Sequence, residues 1–277
     1  MQQLSGMSAV ANRYDAYILD LWGVIHDGSH LYPGVKEALV HLRGAGKKIV
    51  FLSNAPRRSL KVEKVLNQLG IGRELYDMVL SSGEAGFTWL ASAEKPPLGQ
   101  KYFYIGPEKD LDVLDGLPYT RVLVPDAADF VLNVGFGSEE QNDTGHDHEL
   151  IQARALNLPM LCLNPDLEVV KISGERFPCA GVLAHAYAKL GGQVVWFGKP
   201  FSGVYAQCEA FLRPVGKDRI LAVGDSLDTD IPGALRYGLD CVLVTGGILK
   251  DRSAKELEAL CRQQALMPTY VARNFSW

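Results

Sequence analysis

Four short stretches hold the residues that could do chemistry. The densest is Gly224-Asp225-Ser226-Leu227-Asp228-Thr229-Asp230, where three acidic side chains crowd together directly after the apolar run Ile220 to Val223. Carboxylates this close repel one another unless a cation or a lysine compensates them, so a hard divalent ion is expected here. Asp20-Leu21-Trp22-Gly23-Val24 sets another carboxylate at the end of an apolar run, before a glycine that permits a tight turn. That aspartate reads as a metal ligand or nucleophile, or equally as a turn cap. Ser53-Asn54-Ala55-Pro56 supplies a hydroxyl, an amide and backbone N–H groups suited to phosphate oxygens. Gly198-Lys199-Pro200 supplies a fixed positive charge for a phosphoryl group or a carboxylate pair. Taken singly, each stretch is as readily a turn, a cap or a solvated lysine. Their ordered recurrence at the ends of strands of one sheet is what points to a shared site.

The elements that must position these loops follow a repeating pattern. Short apolar runs, each followed by a segment of helical period, recur along most of the chain, the mark of a parallel sheet covered by helices and hence of an α/β protein. Ala16 to Leu21 reads as a buried strand, Pro33-Gly34 opens a helix ending at Gly44 or Gly46, and Lys48 to Ser53 is the next strand. Arg57 to Leu69 then reads as a helix stopped by Gly70. Strands are expected again at Gln193 to Phe197, Arg219 to Val223 and Cys241 to Val244, with helices at about 203–212 and 228–237. In open α/β sheets the ligand crevice lies at the carboxyl ends of the strands, which is where all four stretches fall. Between them, roughly Gly83 to Ala180 holds a second set of α/β segments, including Lys101 to Ile105, Asp129 to Val134 and Pro159 to Leu163, and reads as an inserted domain. Gly137 to Glu149 is hydrophilic and is expected to be a mobile loop.

The bulk properties exclude several classes of partner. At 277 residues the chain is long for a single compact core, in keeping with two domains. Apolar residues make up 47% and charged residues 22%, and the net charge of −4 comes without blocks of like charge, leaving no electrostatic footprint for nucleic acid or an anionic membrane. A small molecule is the expected partner. The five cysteines are scattered and never form a C-x-x-C pair, against a disulfide framework or a zinc site and in keeping with a reducing cytosol. Met1 to Arg13 has no secretory pattern, and no run approaches the ~18 apolar residues of a membrane span, so a cytoplasmic protein is expected.

The ordered set of motifs resembles the haloacid dehalogenase superfamily over essentially the whole chain. Within it, Val24-Ile25-His26-Asp27-Gly28 followed by Tyr32-Pro33-Gly34, the triplet Asn164-Pro165-Asp166, and the Gly181-to-Gly192 helix running into Trp196-Phe197-Gly198-Lys199-Pro200 are similar to class IIA, the NagD-like and p-nitrophenyl-phosphatase-like enzymes. The resemblance implies a Rossmann-like doubly wound parallel-sheet core, residues 1–82 and 181–277, with an α/β cap domain, residues 83–180, inserted between the second and third motifs. It implies Asp20 as the nucleophile that becomes phosphorylated, Ser53 and Asn54 as phosphate-oxygen donors, and Lys199 as the charge that secures nucleophile and phosphoryl group. It further implies Mg²⁺ held by Asp20, the backbone carbonyl of Trp22 and Asp225, with Asp230 supporting that loop. Asn164 and Asp166 would lie at the junction of cap and core, close to a small phosphorylated metabolite. An α/β cap also leaves surface for a homodimer.

One position departs from the pattern. The family's phosphatases carry a second Asp two residues after the nucleophile, which protonates the leaving alcohol and later activates water; here that residue is Trp22. The metal site takes only the carbonyl from this position and should survive, but a positioned acid or base is worth roughly 10²–10⁴-fold in rate. The expected activity is therefore a Mg²⁺-dependent phosphohydrolase or phosphotransferase of restricted leaving-group scope. His26 and Asp27 read as loop-structuring residues rather than as substitutes for the missing acid. The rival readings are a catalytically silent protein that binds a phosphorylated metabolite, and a metal-independent dehalogenase, against which the acidic cluster speaks. His146 and His148 read as an exposed helix start, and Trp89, Trp196 and Tyr102 to Tyr104 as packing residues.

Overall fold

The computed structural model describes residues 1–93, 97–137, 146–170 and 175–277. Its strands, in chain order, are β1 (Gln2–Leu4), β2 (Ala16–Leu19), β3 (Lys48–Ser53), β4 (Met78–Ser81), β5 (Lys101–Ile105), β6 (Thr120–Val122), β7 (Phe130–Asn133), β8 (Met160–Cys162), β9 (Glu168–Val170), β10 (Arg176–Pro178), β11 (Val194–Trp196), β12 (Ile220–Gly224), β13 (Asp240–Val244) and β14 (Tyr270–Ala272). The helices are α1 (Val35–Gly44), α2 (Ser59–Gln68), α3 (Ser82–Ala91), α4 (Asp147–Ala155), α5 (Ala180–Lys189), α6 (Ser202–Leu212), α7 (Asp230–Tyr237) and α8 (Ala254–Gln263). They divide into two compact units, one of residues Met1–Ser53, Leu60–Leu80 and Lys199–Trp277, the other of Asn54–Ser59 and Ser81–Gly198.

The first unit is a seven-stranded sheet in the order β1-β14-β13-β12-β2-β3-β4. Every residue of β2 and β12 is buried, as expected of central strands covered on both faces. Succession runs outward from β2 through β3 and β4 on one side and from β12 through β13 and β14 on the other, so the order reverses between β2 and β12, the doubly wound arrangement. Leu19 pairs with Val223 on one side and with Phe51 on the other, both in parallel. That register brings the carboxyl ends of β12, β2 and β3 level. Asp20, Ser53 and Asp225 therefore leave the sheet at the same end.

The second unit has a five-stranded parallel sheet in the order β11-β8-β7-β5-β6 and an antiparallel pair, β9 with β10. Its core packs Val131, Met160 and Cys162 against Ala180, Leu183, Ala184 and Tyr187 of α5. Tyr102 stacks on Phe130 with ring centroids 5.9 Å apart, and Trp89 meets Phe197 edge-on at 5.4 Å, packing roles as expected.

One expectation about organisation is corrected by the strand pairing. The strand expected at residues 193–197 is present as β11 (Val194–Trp196), but it pairs with β8 in the second sheet, so three of the four loops, not all four, lie on one sheet. The first unit resumes at Lys199. An apolar run fits either parallel sheet equally well, and only the pairing of Trp196 with Cys162 decides between them. Most of the loop expected at 137–149 lies outside the described residues; of its described part, His148 is exposed, whereas both ring nitrogens of His146 are buried rather than exposed.

Candidate active site

The site in the first unit begins at the end of β2. Asp20 is anchored through its N–H to the carbonyl of Val223 on β12, at 2.9 Å, and is only 8% exposed. The chain then coils tightly: the N–H groups of Ile25 and His26 both donate to the carbonyl of Leu21, and Gly23 N–H donates to the carbonyl of His26. Gly23 has φ +82°, and any Cβ there would run into the Asp225 carboxylate. Glycine is required at that position by the approach of the acid as well as by the turn.

Asp225 and Asp230 come from the loop after β12 and the start of α7. Asp20, Asp225 and Asp230, all buried, each bring a carboxylate oxygen to within 4.8 Å of the others'. Lys199 enters the same cluster, its Nζ 2.5 Å from Asp20 Oδ1 and 2.8 Å from Asp230 Oδ1, with 3% of the residue exposed. Asp228 points outward and is exposed, so two members of the acidic run, not three, join the cluster. Asp230 also accepts from the N–H of Ser226 at 3.2 Å, which fixes the loop bearing Asp225.

The electrostatics follow from the count. Three buried carboxylates face one buried ammonium, and burial, reinforced by Asp230 and then Asp225 and opposed by Lys199, holds the Asp20 carboxyl well above the usual carboxylate range. Burying charges of one sign is costly unless they are neutralised by protons or a cation. A divalent ion bound among these oxygens would supply the missing positive charge, and the all-oxygen donor set suits Mg²⁺. The residues present therefore fit the metal that the resemblance implies.

Sequence reasoning missed the loop after β13. Ile248 N–H donates to Asp225 Oδ2 at 2.9 Å, and a Cβ at Gly247 would strike that same oxygen and the carbonyl of Gly23. The available signal was the glycine pair Gly246-Gly247 one residue past a buried strand end. Tyr32, whose N–H donates to the carbonyl of Ile25, has its hydroxyl pKa raised by burial and then by Asp225 and Asp27.

Trp22 lies folded on its own loop. Its ring meets His26 edge-on at 5.8 Å, and a Cβ on Gly28, which has φ +99°, would stand 2.6 Å from the indole Cη2. His26 Nδ1 accepts from Gly28 N–H at 3.0 Å, and burial, opposed by Asp27, lowers the pKa of the ring. The ring is thus neutral near pH 7, with its proton on Nε2. Asp27 Oδ1 accepts from the N–H groups of Ser29 and His30, both at 2.8 Å, the bonding of a turn cap.

The remaining candidates divide between the units. Ser53 is buried at the end of β3 in the first unit. Asn54, Asn164 and Asp166 belong to the second, where Asn54 Nδ2 donates to Asp166 Oδ1 at 2.7 Å and Asn164 Oδ1 accepts from Asp166 N–H at 3.0 Å.

The family model for haloacid dehalogenase-like hydrolases matches residues 17–120, and a second model, HAD-hydrolase-like, matches residues 196–277. The chain is 26% identical to the 4-nitrophenylphosphatase of Schizosaccharomyces pombe, covering 96% of this chain and 93% of that protein. It is 28% identical to the sugar-phosphatase AraL of Bacillus subtilis, covering 92% and 88% respectively. Among solved structures, a hydrolase of the haloacid dehalogenase-like family from Brucella suis superposes with a TM-score of 0.85 at 29% identity, over 98% of this chain and 99% of that one.

Proposed function

Because the chain belongs to the haloacid dehalogenase superfamily, in its class IIA branch, we propose that it is a Mg²⁺-dependent phosphatase that works through an aspartyl-phosphate on small phosphorylated molecules. The observation that carries this reading is the convergence of Asp20, Asp225 and Asp230 around a single lysine. Such a cluster is costly to bury for structure alone, and it offers a nucleophile, a cation site and a fixed positive charge together. Its relatives in Schizosaccharomyces pombe and Bacillus subtilis bear the names of phosphatases.

In this reading an Asp20 carboxylate oxygen attacks phosphorus, the bond from phosphorus to the leaving oxygen breaks, and the new acyl phosphate is then cleaved by water to return Asp20 and release phosphate. Lys199 neutralises both the nucleophile and the incoming phosphoryl group. Asp20, Asp225 and the Trp22 carbonyl would hold the cation, which when bound would supply positive charge to offset that of the phosphoryl group. Asp230 holds Lys199 and the Ser226 amide in place. Ser53, and Asn54 directly after it, donate to phosphate oxygens.

The leaving group is where this chain should differ from its relatives. Trp22 has no ionisable group, His26 spends its acceptor nitrogen on Gly28, and Asp27 caps a turn. With no acid supplied by that loop, acyl and activated aryl phosphates, whose leaving groups depart without a proton, are the preferred substrates. The five free, buried cysteines fit a reducing cytoplasmic setting, and no helix among the described residues is long and apolar enough to cross a membrane.

The test is phosphate release from 4-nitrophenyl phosphate and acetyl phosphate with Mg²⁺, with Asp20→Asn as control. Activity that disappears in the variant and in EDTA is expected. If the wild type releases no phosphate while phosphorylated ligands raise its melting temperature, the protein is a silent binder. Halide release that persists in EDTA would instead mark a dehalogenase.

A further inference from the structure

The loop that leaves β3 is built into the second unit, and its first side chain is gripped by a carboxylate. Asn54 is 4% exposed, and its Nδ2 lies 2.7 Å from Asp166 Oδ1. An ionised carboxylate can only accept, so this contact fixes which way round the amide lies, with nitrogen toward Asp166 and oxygen toward Gly198. Gly198 has φ +118°, and a Cβ there would stand 2.5 Å from Asn54 Oδ1, so only bare backbone leaves room for the amide oxygen. The main chain is held as well, since Ser82 Oγ donates to the carbonyl of Asn54 at 2.8 Å and Gly83 N–H donates to that of Ala55 at 3.2 Å. Asp166 is itself fixed through its backbone: its N–H donates to Asn164 Oδ1 and its carbonyl accepts from Gly181 N–H at 3.1 Å.

Resting on the phosphatase reading above, in which Asn54 donates to a phosphate oxygen, we infer that Asp166 is a positioning residue that acts on the reaction through Asn54 rather than by touching substrate. One amide hydrogen is committed to Asp166, and that commitment aims the other. An amide free to flip would present its oxygen to the phosphate for part of the time, and two acceptors repel. A carboxylate in direct contact with a phosphorylated substrate would oppose binding, whereas one turned toward the Asn54 amide is stabilised by a charge-assisted hydrogen bond.

The experiment measures kcat and KM on 4-nitrophenyl phosphate for Asp166→Ala, Asp166→Asn, Asn54→Ala and the double variant Asn54→Ala/Asp166→Ala. Truncating the side chain at 166 leaves both backbone hydrogen bonds of that residue in place, so the loop keeps its turn. Asp166→Ala is expected to lose about ten- to a hundredfold in kcat with KM little changed, the cost of a misplaced donor. Asp166→Asn, whose amide oxygen can still accept from Asn54, recovers most of that loss. The double variant is no worse than Asn54→Ala alone, because the second deletion has nothing left to act through. Losses that multiply in the double variant, or an Asp166→Asn as impaired as Asp166→Ala, would overturn the inference. If the wild type releases no phosphate at all, it is the phosphatase reading that fails, and the linkage is then judged by the ¹H–¹⁵N resonances of the Asn54 side-chain amide. Those should move in Asp166→Ala and hold near their wild-type position in Asp166→Asn; resonances indifferent to both changes overturn it.

Discussion

At the scale of single residues, the proposed role of Trp22, to separate what the site can bind from what it can turn over, makes a definite prediction. Its indole rests on Gly28 and against His26, so the side chain closes its own loop. The carboxylates of Asp20, Asp225 and Asp230 and the ammonium of Lys199 form the cluster without an ionisable group from position 22. Cation binding and attack by Asp20 should therefore proceed, while protonation of a poor leaving group does not. Replacing the indole with a carboxylate, Trp22→Asp, is expected to raise kcat on an alkyl phosphate such as glycerol phosphate by about tenfold or more, a fraction of the roughly 10²–10⁴ that a well-placed acid contributes. The gain in kcat/KM on 4-nitrophenyl phosphate, which reports the phosphoryl-transfer step alone, should be much smaller, because nitrophenolate leaves unaided. In the variant, kcat/KM for the alkyl substrate should decline as pH rises through the pKa of the new acid, which acts in its protonated form. Parallel steady-state assays on the two substrates check this, and equal gains on both, or none with Mg²⁺ binding intact, would refute it.

At the scale of elements, the level carboxyl ends of β12, β2 and β3 depend on how β3 is started. Asp77, just before β4, accepts from Ile49 N–H on β3 and from Arg43 Nη1 in the last turn of α1, both at 2.7 Å. Burial alone would raise its pKa, but the Ile49 amide and Arg43 outweigh that and hold the carboxyl below its ordinary range. Asp77→Ala strands a buried amide and should cost about 2 kcal/mol at pH 7, as hydrogen bonds to charged groups do. A carboxyl whose pKa is depressed by folding stabilises fully above its unfolded pKa of about 3.9, and the benefit fades as pH falls below that. Urea unfolding of wild type and variant at pH 7 and near pH 3 should show the gap narrowing in acid; a gap independent of pH would mean that ionisation is not its source. The central strands were legible because β2, β3 and β12 are unbroken apolar runs bounded by loop residues. β1 and β14 were not, since strands of only three residues carry too little pattern. Nor could apolarity say which sheet would take β11, which is settled by pairing between residues distant in sequence. Within the site, side chains announced themselves and backbone did not: Asp20, Lys199 and Asp225 could be read from their types at loop starts, whereas the Ile248 amide that fixes Asp225 belongs to every residue type but proline.

At the scale of the whole molecule, the acidic cluster belongs to one unit only. Among the described residues, the single group of carboxylates close enough to share an ion is that of Asp20, Asp225 and Asp230, all in the first unit. A ligand that binds only the native state lowers the population of openings that release it by a factor of 1 + [L]/Kd, about a hundredfold at a hundred times Kd. Segments whose opening destroys the cluster must follow that factor, and segments elsewhere need not. Hydrogen exchange followed by mass spectrometry should therefore slow, on adding Mg²⁺, in peptides covering 20–26, 223–231 and 246–249, the last because Ile248 N–H is itself bonded to Asp225. Peptides covering β5, β7 and β8, the centre of the second sheet, should exchange as before. Asp225→Asn should abolish the Mg²⁺ effect in the first group and leave the second group unaltered. Slowing confined to the second unit, or spread evenly along the chain and insensitive to Asp225→Asn, would place the ion somewhere other than among these three carboxylates.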